Sequence, residues 1–156
     1  MESAFAQYAE SLHPSFERLI AMTPVTIATL PRDAPASGIY LFSEGDRHLY
    51  TGRTRNLRQR MRQHSIPSSQ HNQAVFAFRL ARETTGRLVA SYTGDGTRAM
   101  LASSDAAFGT AFTDAKARVR AMQLRYVEET DPLRQALLEI YASIVLATPY
   151  NDFNTH

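Results

Sequence analysis

The sequence of 156 residues contains no cysteine. Disulfide bonds, thiolate zinc sites and a cysteine nucleophile are therefore excluded. Long apolar runs are also absent, and a segment such as residues 74–78 is far too short to cross a bilayer. The first ten residues, MESAFAQYAE, lack the basic and apolar regions of a signal peptide. We therefore expect a cytoplasmic protein without a membrane partner.

Acidic residues are absent between Asp46 and Glu83, and Lys116 is the only lysine among 17 basic residues. The arginines of this acid-free segment are Arg47, Arg53, Arg55, Arg58, Arg60, Arg62, Arg79 and Arg82. A guanidinium group binds phosphate through a planar fork of donors. A basic block of this kind favours contact with a polyanion such as nucleic acid, although the same charges could form a solvated helix face.

The length and composition indicate one folded domain. A chain of this size is about one ordinary domain, and 44% hydrophobic residues are enough for a core. No repeat, low-complexity tract or linker divides the sequence.

Periodicity predicts the elements of the first half of the chain. Apolar residues recur every three or four positions in residues 1–20, and Pro14 should divide this segment into two short helices or break one helix. Residues 21–36 carry three prolines and are expected to be irregular. Residues 38–42 and 48–52 are β-branched and aromatic, and the turn between them contains glycine, which predicts a β-hairpin. A helix capped by Thr54 or Asn56 should run to about residue 63, with Leu57 and Met61 buried.

In the second half of the chain, the sequence signals for helices and strands are less consistent. Residues 73–83 fit a strand or a buried helix, and Asn72 as a cap with Gly86 as an end favours the helix. A loop is expected over residues 87–102, a helix over residues 105–118 and a strand near residues 119–127. Asp131 and Pro132 mark the start of a last helix. Its apolar stripe consists of Leu133, Leu137, Ile140, Ile144 and Val145.

A specific pattern of residues runs through these elements. Gly38-Ile39-Tyr40 is followed ten residues later by Tyr50-Thr51-Gly52, and the next helix carries Arg60 and His64 one turn apart. Glu139 lies on the last helix, and Asn151 follows it by twelve residues. In this order and spacing, the pattern resembles the GIY-YIG nuclease family. Thr51 departs from the isoleucine or valine that is usual there.

The resemblance implies a fold and a division of the chain. The expected fold is a compact α/β domain in which helices flank a small, mainly antiparallel sheet of three strands. The nuclease-like domain would span residues 37–156, with an insertion around residues 84–113. Residues 1–36 would form a helical lead-in packed on that domain.

The resemblance also implies a metal-dependent endonuclease that hydrolyses phosphodiester bonds in DNA. Glu139 would bind Mg²⁺ or Mn²⁺, and Tyr40 would act as the general base. Arg60 would hold the scissile phosphate. Tyr50 would orient the water or the phosphate, and His64 would take or share the proton.

The remaining site residues are assigned supporting roles. Asn151 is expected to fix the geometry behind Glu139 rather than to contact the substrate. Four arginines near the motif are assigned to nonspecific phosphate contacts, namely Arg53, Arg55, Arg58 and Arg62.

Several interpretations stay open at this point. Taken singly, Tyr40 and Tyr50 are typical of strand packing, and His64 suits a helix C-terminus. Glu139 needs a partner if it is buried, and otherwise faces solvent. The chain could be a nucleic-acid-binding module that cleaves weakly or not at all, or a nuclease directed at RNA or branched structures. The oligomeric state is left open.

Overall fold

A computed structural model describes residues 2–86 and 106–153. Its helices are α1 Ser3–Glu10, α2 His13–Ala21, α3 Leu57–Ser65, α4 Val75–Thr85, α5 Ala106–Ala121 and α6 Pro132–Leu146. Its strands are β1 Gly38–Glu44, β2 Arg47–Thr54 and β3 Gln123–Glu128. The loop predicted over residues 87–102 lies outside the described residues, as does most of the insertion expected around residues 84–113.

The three strands form one antiparallel sheet in the order β2-β1-β3. The central strand β1 is buried from Gly38 to Ser43, which explains why its sequence is apolar without alternation. Gly45 supplies the left-handed backbone (φ +59°) of the β1–β2 turn. The predicted fold class is confirmed, because a small antiparallel sheet is flanked by helices.

The first predicted elements agree with the structure. Two short helices are present, as predicted, and Pro14 lies in the first turn of α2, where its missing N–H costs no hydrogen bond. The hairpin is present, with Tyr40 opposite Gly52 and Phe42 opposite Tyr50. Leu57 and Met61 are buried on α3, as predicted.

Later boundaries required correction. Residues 75–85 form a helix that ends at the left-handed Gly86, as predicted, but Ala74 rather than Asn72 precedes it. The strand expected near residues 119–127 starts only at Gln123, because α5 continues to Ala121 and buries Val119 on its own face. Asp131 caps α6, and its carboxylate accepts a hydrogen bond from the Arg134 backbone N–H at 2.9 Å.

The chain divides into two compact units. The first comprises Met1–Arg58 with Met122–His156 and contains the sheet. Its core joins α2, β1, β3 and α6 through Leu12, Phe16, Leu19, Ile39, Leu41, Val127, Leu138 and Ala142. The second unit is Gln59–Ala121. Its α4 and α5 pack through aromatic rings, with the Phe78 ring 5.1 Å from that of Phe108 and 5.7 Å from that of Phe112.

Of the apolar stripe predicted for the last helix, only Leu137 packs against the core. Leu138 and Ala142 are fully buried, whereas Leu133, Ile140, Ile144 and Val145 are exposed. α6 is apolar on both sides, so periodicity located the helix but selected the wrong face. None of the described helices is both long and apolar enough to cross a membrane.

Candidate active site

The two motif tyrosines lie beside each other on one face of the hairpin. Tyr40 is in β1 and Tyr50 is in β2, and the register places them on a diagonal of the β1–β2 pair. Their ring centroids are 6.4 Å apart, and the Tyr40 ring also meets the edge of Phe42 at 5.7 Å. Both rings are buried, with Tyr40 only 1% exposed.

The two glycines of the motif give the backbone close approaches that a side chain would block. A β-carbon at Gly52 would overlap the phenol ring and hydroxyl of Tyr40, which lies across β2 at this point. A β-carbon at Gly38 would collide with the carbonyl oxygen of Val127 on β3. Gly52 therefore leaves room for the Tyr40 ring, and Gly38 allows β1 and β3 to approach each other closely.

Glu139 on α6 forms an ion pair with Arg53 on β2. The Arg53 Nε lies 3.4 Å from a Glu139 carboxylate oxygen. The Glu139 side chain is 19% exposed, whereas Arg53 is half exposed. Burial raises the pKa of Glu139 above its ordinary value, and the charge of Arg53 opposes that shift. Glu139 is thus a poorly hydrated carboxylate that favours a nearby cation.

Asn151 joins the segment after α6 to the middle of β2. Its Oδ1 accepts hydrogen bonds from the Thr51 backbone N–H at 2.9 Å and from the Thr148 hydroxyl at 2.7 Å. Its Nδ2 donates to the Thr51 carbonyl at 2.8 Å. The Thr51 hydroxyl, which stands where the family pattern has a hydrocarbon, donates to the same Oδ1 at 3.4 Å. Asn151 therefore contacts the strand that carries Tyr50 and Arg53.

Arg60 and His64 lie one turn apart on α3, in the second unit. Arg60 donates to the Gln73 carbonyl at 2.7 Å and to the Gln63 side chain at 3.1 Å, so its guanidinium is held in place. His64 is fully buried, and its pKa is well below the ordinary value, first because of burial and then because of the Arg60 charge. His64 is therefore neutral at physiological pH.

The four arginines assigned to phosphate contacts are all exposed, namely Arg53, Arg55, Arg58 and Arg62. Arg58 donates to the Pro31 carbonyl at 2.7 Å, which fixes its direction. Arg53 is also the partner of Glu139, a role that the sequence analysis did not assign to it. Its position directly after the Tyr-Thr-Gly motif is the one sequence signal that could have indicated this.

The described residues contain no cluster of possible metal ligands. Within residues 2–86 and 106–153, no three His, Asp or Glu side chains gather in a way that could hold an ion. Magnesium commonly keeps several water ligands and binds one or two carboxylates together with substrate phosphate. The poorly hydrated Glu139 carboxylate fits this mode of binding.

Comparison with known proteins agrees with the geometry of the hairpin. Residues 36–99 match the family model described as the GIY-YIG catalytic domain. Glu139 and Asn151 lie beyond the matched residues. No curated protein and no solved structure gave a significant match. Nucleases of this family act on nucleic acid and are generally dependent on a divalent metal. The motif, the sheet and the family match together support a GIY-YIG nuclease domain in this chain.

Proposed function

We propose that the protein is a metal-dependent endonuclease that hydrolyses phosphodiester bonds in DNA. The observation that carries this proposal is the ion pair between Glu139 and Arg53. A carboxylate whose pKa is raised by burial is costly to keep ionised in a folded protein, and such groups are concentrated at functional sites. Arg53 lies on β2, which also carries Tyr50, and Glu139 lies on α6, which precedes Asn151 in the chain.

Substrate binding is assigned to the exposed arginines. Arg53, Arg55, Arg58 and Arg62 present positive charge over a segment of ten residues without an acid. Contacts of this kind hold the phosphate backbone without reading the base sequence. We therefore expect affinity to fall steeply as salt concentration rises.

The chemical step is assigned to the motif residues. Tyr40 is the general base that removes a proton from the attacking water, and Tyr50 orients the water or the phosphate by hydrogen bonding. A free phenol has a pKa of about 10, so Tyr40 needs a neighbouring acceptor to act at neutral pH. When bound by Glu139, Mg²⁺ or Mn²⁺ would polarise the phosphate and stabilise its developing charge.

Two further residues act on charge and protons. Arg60, held by the Gln73 carbonyl, binds the scissile phosphate and stabilises the negative charge of the transition state. His64 is neutral, and because its pKa is lowered, its imidazole shares the proton as a hydrogen-bond acceptor rather than by becoming protonated. Asn151 contributes indirectly, through its bonds to Thr51.

A second candidate function is a binding module that retains the scaffold but does not cleave. The burial of Tyr40, at 1% exposure, and of His64, at 0%, favours this alternative, because a general base must reach its water. Salt-dependent binding is expected of both candidates, whereas cleavage is expected only of the nuclease.

The test compares nucleic acids of matched sequence. Wild-type protein is incubated with supercoiled plasmid, a branched DNA and a duplex RNA, each with and without Mg²⁺ or Mn²⁺, and products are separated on gels. Metal-dependent cleavage of DNA supports the proposal. Cleavage of RNA alone would assign the activity to another substrate, and binding without cleavage of any of the three would favour the module.

A further inference from the structure

Lys116, the only lysine in the sequence, is buried on α5 with 4% of its surface exposed. Its Nζ donates hydrogen bonds to the Pro67 carbonyl at 2.6 Å and to the Ser69 carbonyl at 2.9 Å. It also lies 4.3 Å from the centre of the Phe112 ring, within the range of a cation–π contact. Both carbonyls belong to residues 66–74, which form the α3–α4 loop. Because a buried charge is costly unless it is hydrogen-bonded, the ammonium group is bound specifically to this loop.

A cavity separates part of the α3–α4 loop from α5. Its volume is about 740 Å³, and its lining includes Pro67 and His71 from the loop and Thr110 and Lys116 from α5. Atoms that face each other across open space lose the dispersion contacts that close packing would give them. The two hydrogen bonds of Lys116 bridge the loop and the helix at the edge of this cavity, where apolar packing gives little support.

The second half of the α3–α4 loop holds Arg60, whose guanidinium donates to the Gln73 carbonyl at 2.7 Å. The backbone N–H of Gln73 donates to the Gln70 carbonyl at 3.0 Å, and the Gln73 side chain accepts from the Gln70 N–H at 3.0 Å. That Gln70 N–H and the Ser69 carbonyl, which accepts from Lys116, belong to the same peptide group. A short path of hydrogen-bonded groups therefore connects Lys116 on α5 to Arg60 on α3.

We propose that Lys116 is a positioning residue for Arg60. By fixing the peptide group between Ser69 and Gln70, its ammonium keeps the Gln73 carbonyl in the place that directs the Arg60 guanidinium. Lys116 does not touch the substrate, and its effect on cleavage is carried by Arg60. All of these residues lie in the second compact unit. The inference rests on the proposed function only for the role of Arg60 at the scissile phosphate.

The first test measures hydrogen exchange by NMR and needs no activity. Lys116→Met keeps an apolar stem and removes the ammonium, and Arg120→Met, at an exposed cation on the same helix, is the matched control. Relative to the N–H of Phe78 in α4, Lys116→Met should speed exchange of the Gln73 N–H by about tenfold or more. The guanidinium protons of Arg60 should exchange faster to a similar degree, and Arg120→Met should leave both sites as in wild type. The proposal is overturned if Lys116→Met changes neither site, or changes both only in proportion to Phe78.

The second test is a double-mutant cycle on the rate of metal-dependent plasmid nicking. Lys116→Met should lower the rate by about tenfold or more. Arg60→Lys should lower it further, and it keeps a positive charge, so that a residual rate can be measured. If Lys116 acts through Arg60, the double variant should be no slower than Arg60→Lys alone. Effects that multiply would mean that Lys116 supports the fold independently of Arg60, which would contradict the proposal.

The two tests separate this inference from the proposed function. A wild type that cleaves nothing refutes the proposed function, and the exchange measurement still decides whether Lys116 holds Arg60. If Lys116→Met does not fold, Lys116→Gln, which keeps a donor amide without the charge, takes its place in both tests.

Discussion

The environment of Glu139 differs from that of an ordinary surface carboxylate. It is largely buried, and the nearby Arg53 only partly offsets the loss of hydration, because the net shift of its pKa is upward. The folded protein therefore holds the ionised carboxylate less favourably than the unfolded chain does. Keeping a carboxylate at this position is a cost to stability, which is typical of residues retained for function.

Glu139→Gln is expected to raise the melting temperature at neutral pH in the absence of metal. The cost of the ionised form is absent below the unfolded pKa of 4.5 and fully present above the raised folded pKa. The stability difference between the variant and wild type should therefore shrink as pH falls towards 4.5 and below. Thermal melts across this pH range measure it, with Glu128→Gln, at an exposed acid on β3, as the control. A Glu139→Gln protein that is less stable than wild type at neutral pH would contradict this account.

The titration of His64 should make the stability of the protein fall as pH falls, which is opposite to the effect of Glu139. Its pKa is lowered well below 6.5 in the folded protein, so the unfolded chain binds a proton first as pH falls. The titration of His64 has no effect on stability well above pH 6.5, where the side chain is neutral in both the folded and the unfolded state. Below that value, protonation of the unfolded chain favours unfolding. The free energy of unfolding should fall by up to about 1.4 kcal/mol per pH unit from this residue.

Denaturant unfolding between pH 7.5 and 5 tests this expectation. Wild type should lose stability over the range, and His64→Gln should show a clearly shallower slope whatever its absolute stability. A smaller slope should persist in the variant, because the pKa of His48 is also lowered, first by burial and then by Arg125. Identical slopes in the two proteins would mean that His64 titrates normally.

At the scale of the elements, the hairpin depends on the contact between Tyr40 and Gly52. A methyl group at position 52 would overlap the phenol ring, which must then leave its place on β2. Gly52→Ala is expected to destabilise the protein by about 1–3 kcal/mol through overpacking and to reduce any cleavage activity. Gly109→Ala is the control, since position 109 on α5 has open space, and it should stabilise by about 0.5–1 kcal/mol. Chemical denaturation gives both values, and equal effects of the two substitutions would contradict the role of Gly52.

The connection between β2 and the segment after α6 depends on the amide of Asn151. Asn151→Asp keeps the acceptor for Thr51 N–H but places a negative oxygen against the Thr51 carbonyl, where Nδ2 now donates. We expect this variant to lose about 1–3 kcal/mol of stability at neutral pH. Thr51→Val removes only the longer hydroxyl bond of 3.4 Å and should cost less. Denaturant titrations measure the loss of stability in each variant. A larger loss for Thr51→Val than for Asn151→Asp would mean that the Thr51 hydroxyl, rather than the Asn151 amide, makes the stabilising contact.

The sequence predicted elements best where local signals were redundant. The hairpin was marked by β-branched residues and a glycine turn, and α6 by Asp131 and Pro132 at its start. The buried face of α6 could not be predicted from the sequence. The side of the helix that carries the buried Leu138 and Ala142 is less apolar than the side that is exposed. The start of β3 was misplaced because Val119 fits the buried face of α5 as well as it fits a strand.

At the scale of the whole molecule, the motif residues could be predicted but their partners could not. The spacing of Tyr40, Tyr50, Arg60 and His64 is visible in the sequence. The pairing of Arg53 with Glu139, and of Asn151 with Thr51, joins residues that are far apart in the chain, so only the folded backbone shows it. The burial of His64 is also a property of packing, since a helix with many charged residues gives no local sign of it.

The most direct test of the account is plasmid nicking by wild type, Glu139→Gln and Glu128→Gln, with and without Mg²⁺ or Mn²⁺. All three should bind DNA at low salt, since the exposed arginines are unchanged. Wild type and Glu128→Gln are expected to nick only with metal, and Glu139→Gln should lose activity while staying folded. If Glu139→Gln nicks as well as wild type, Glu139 is not the metal ligand, and the proposed mechanism is wrong.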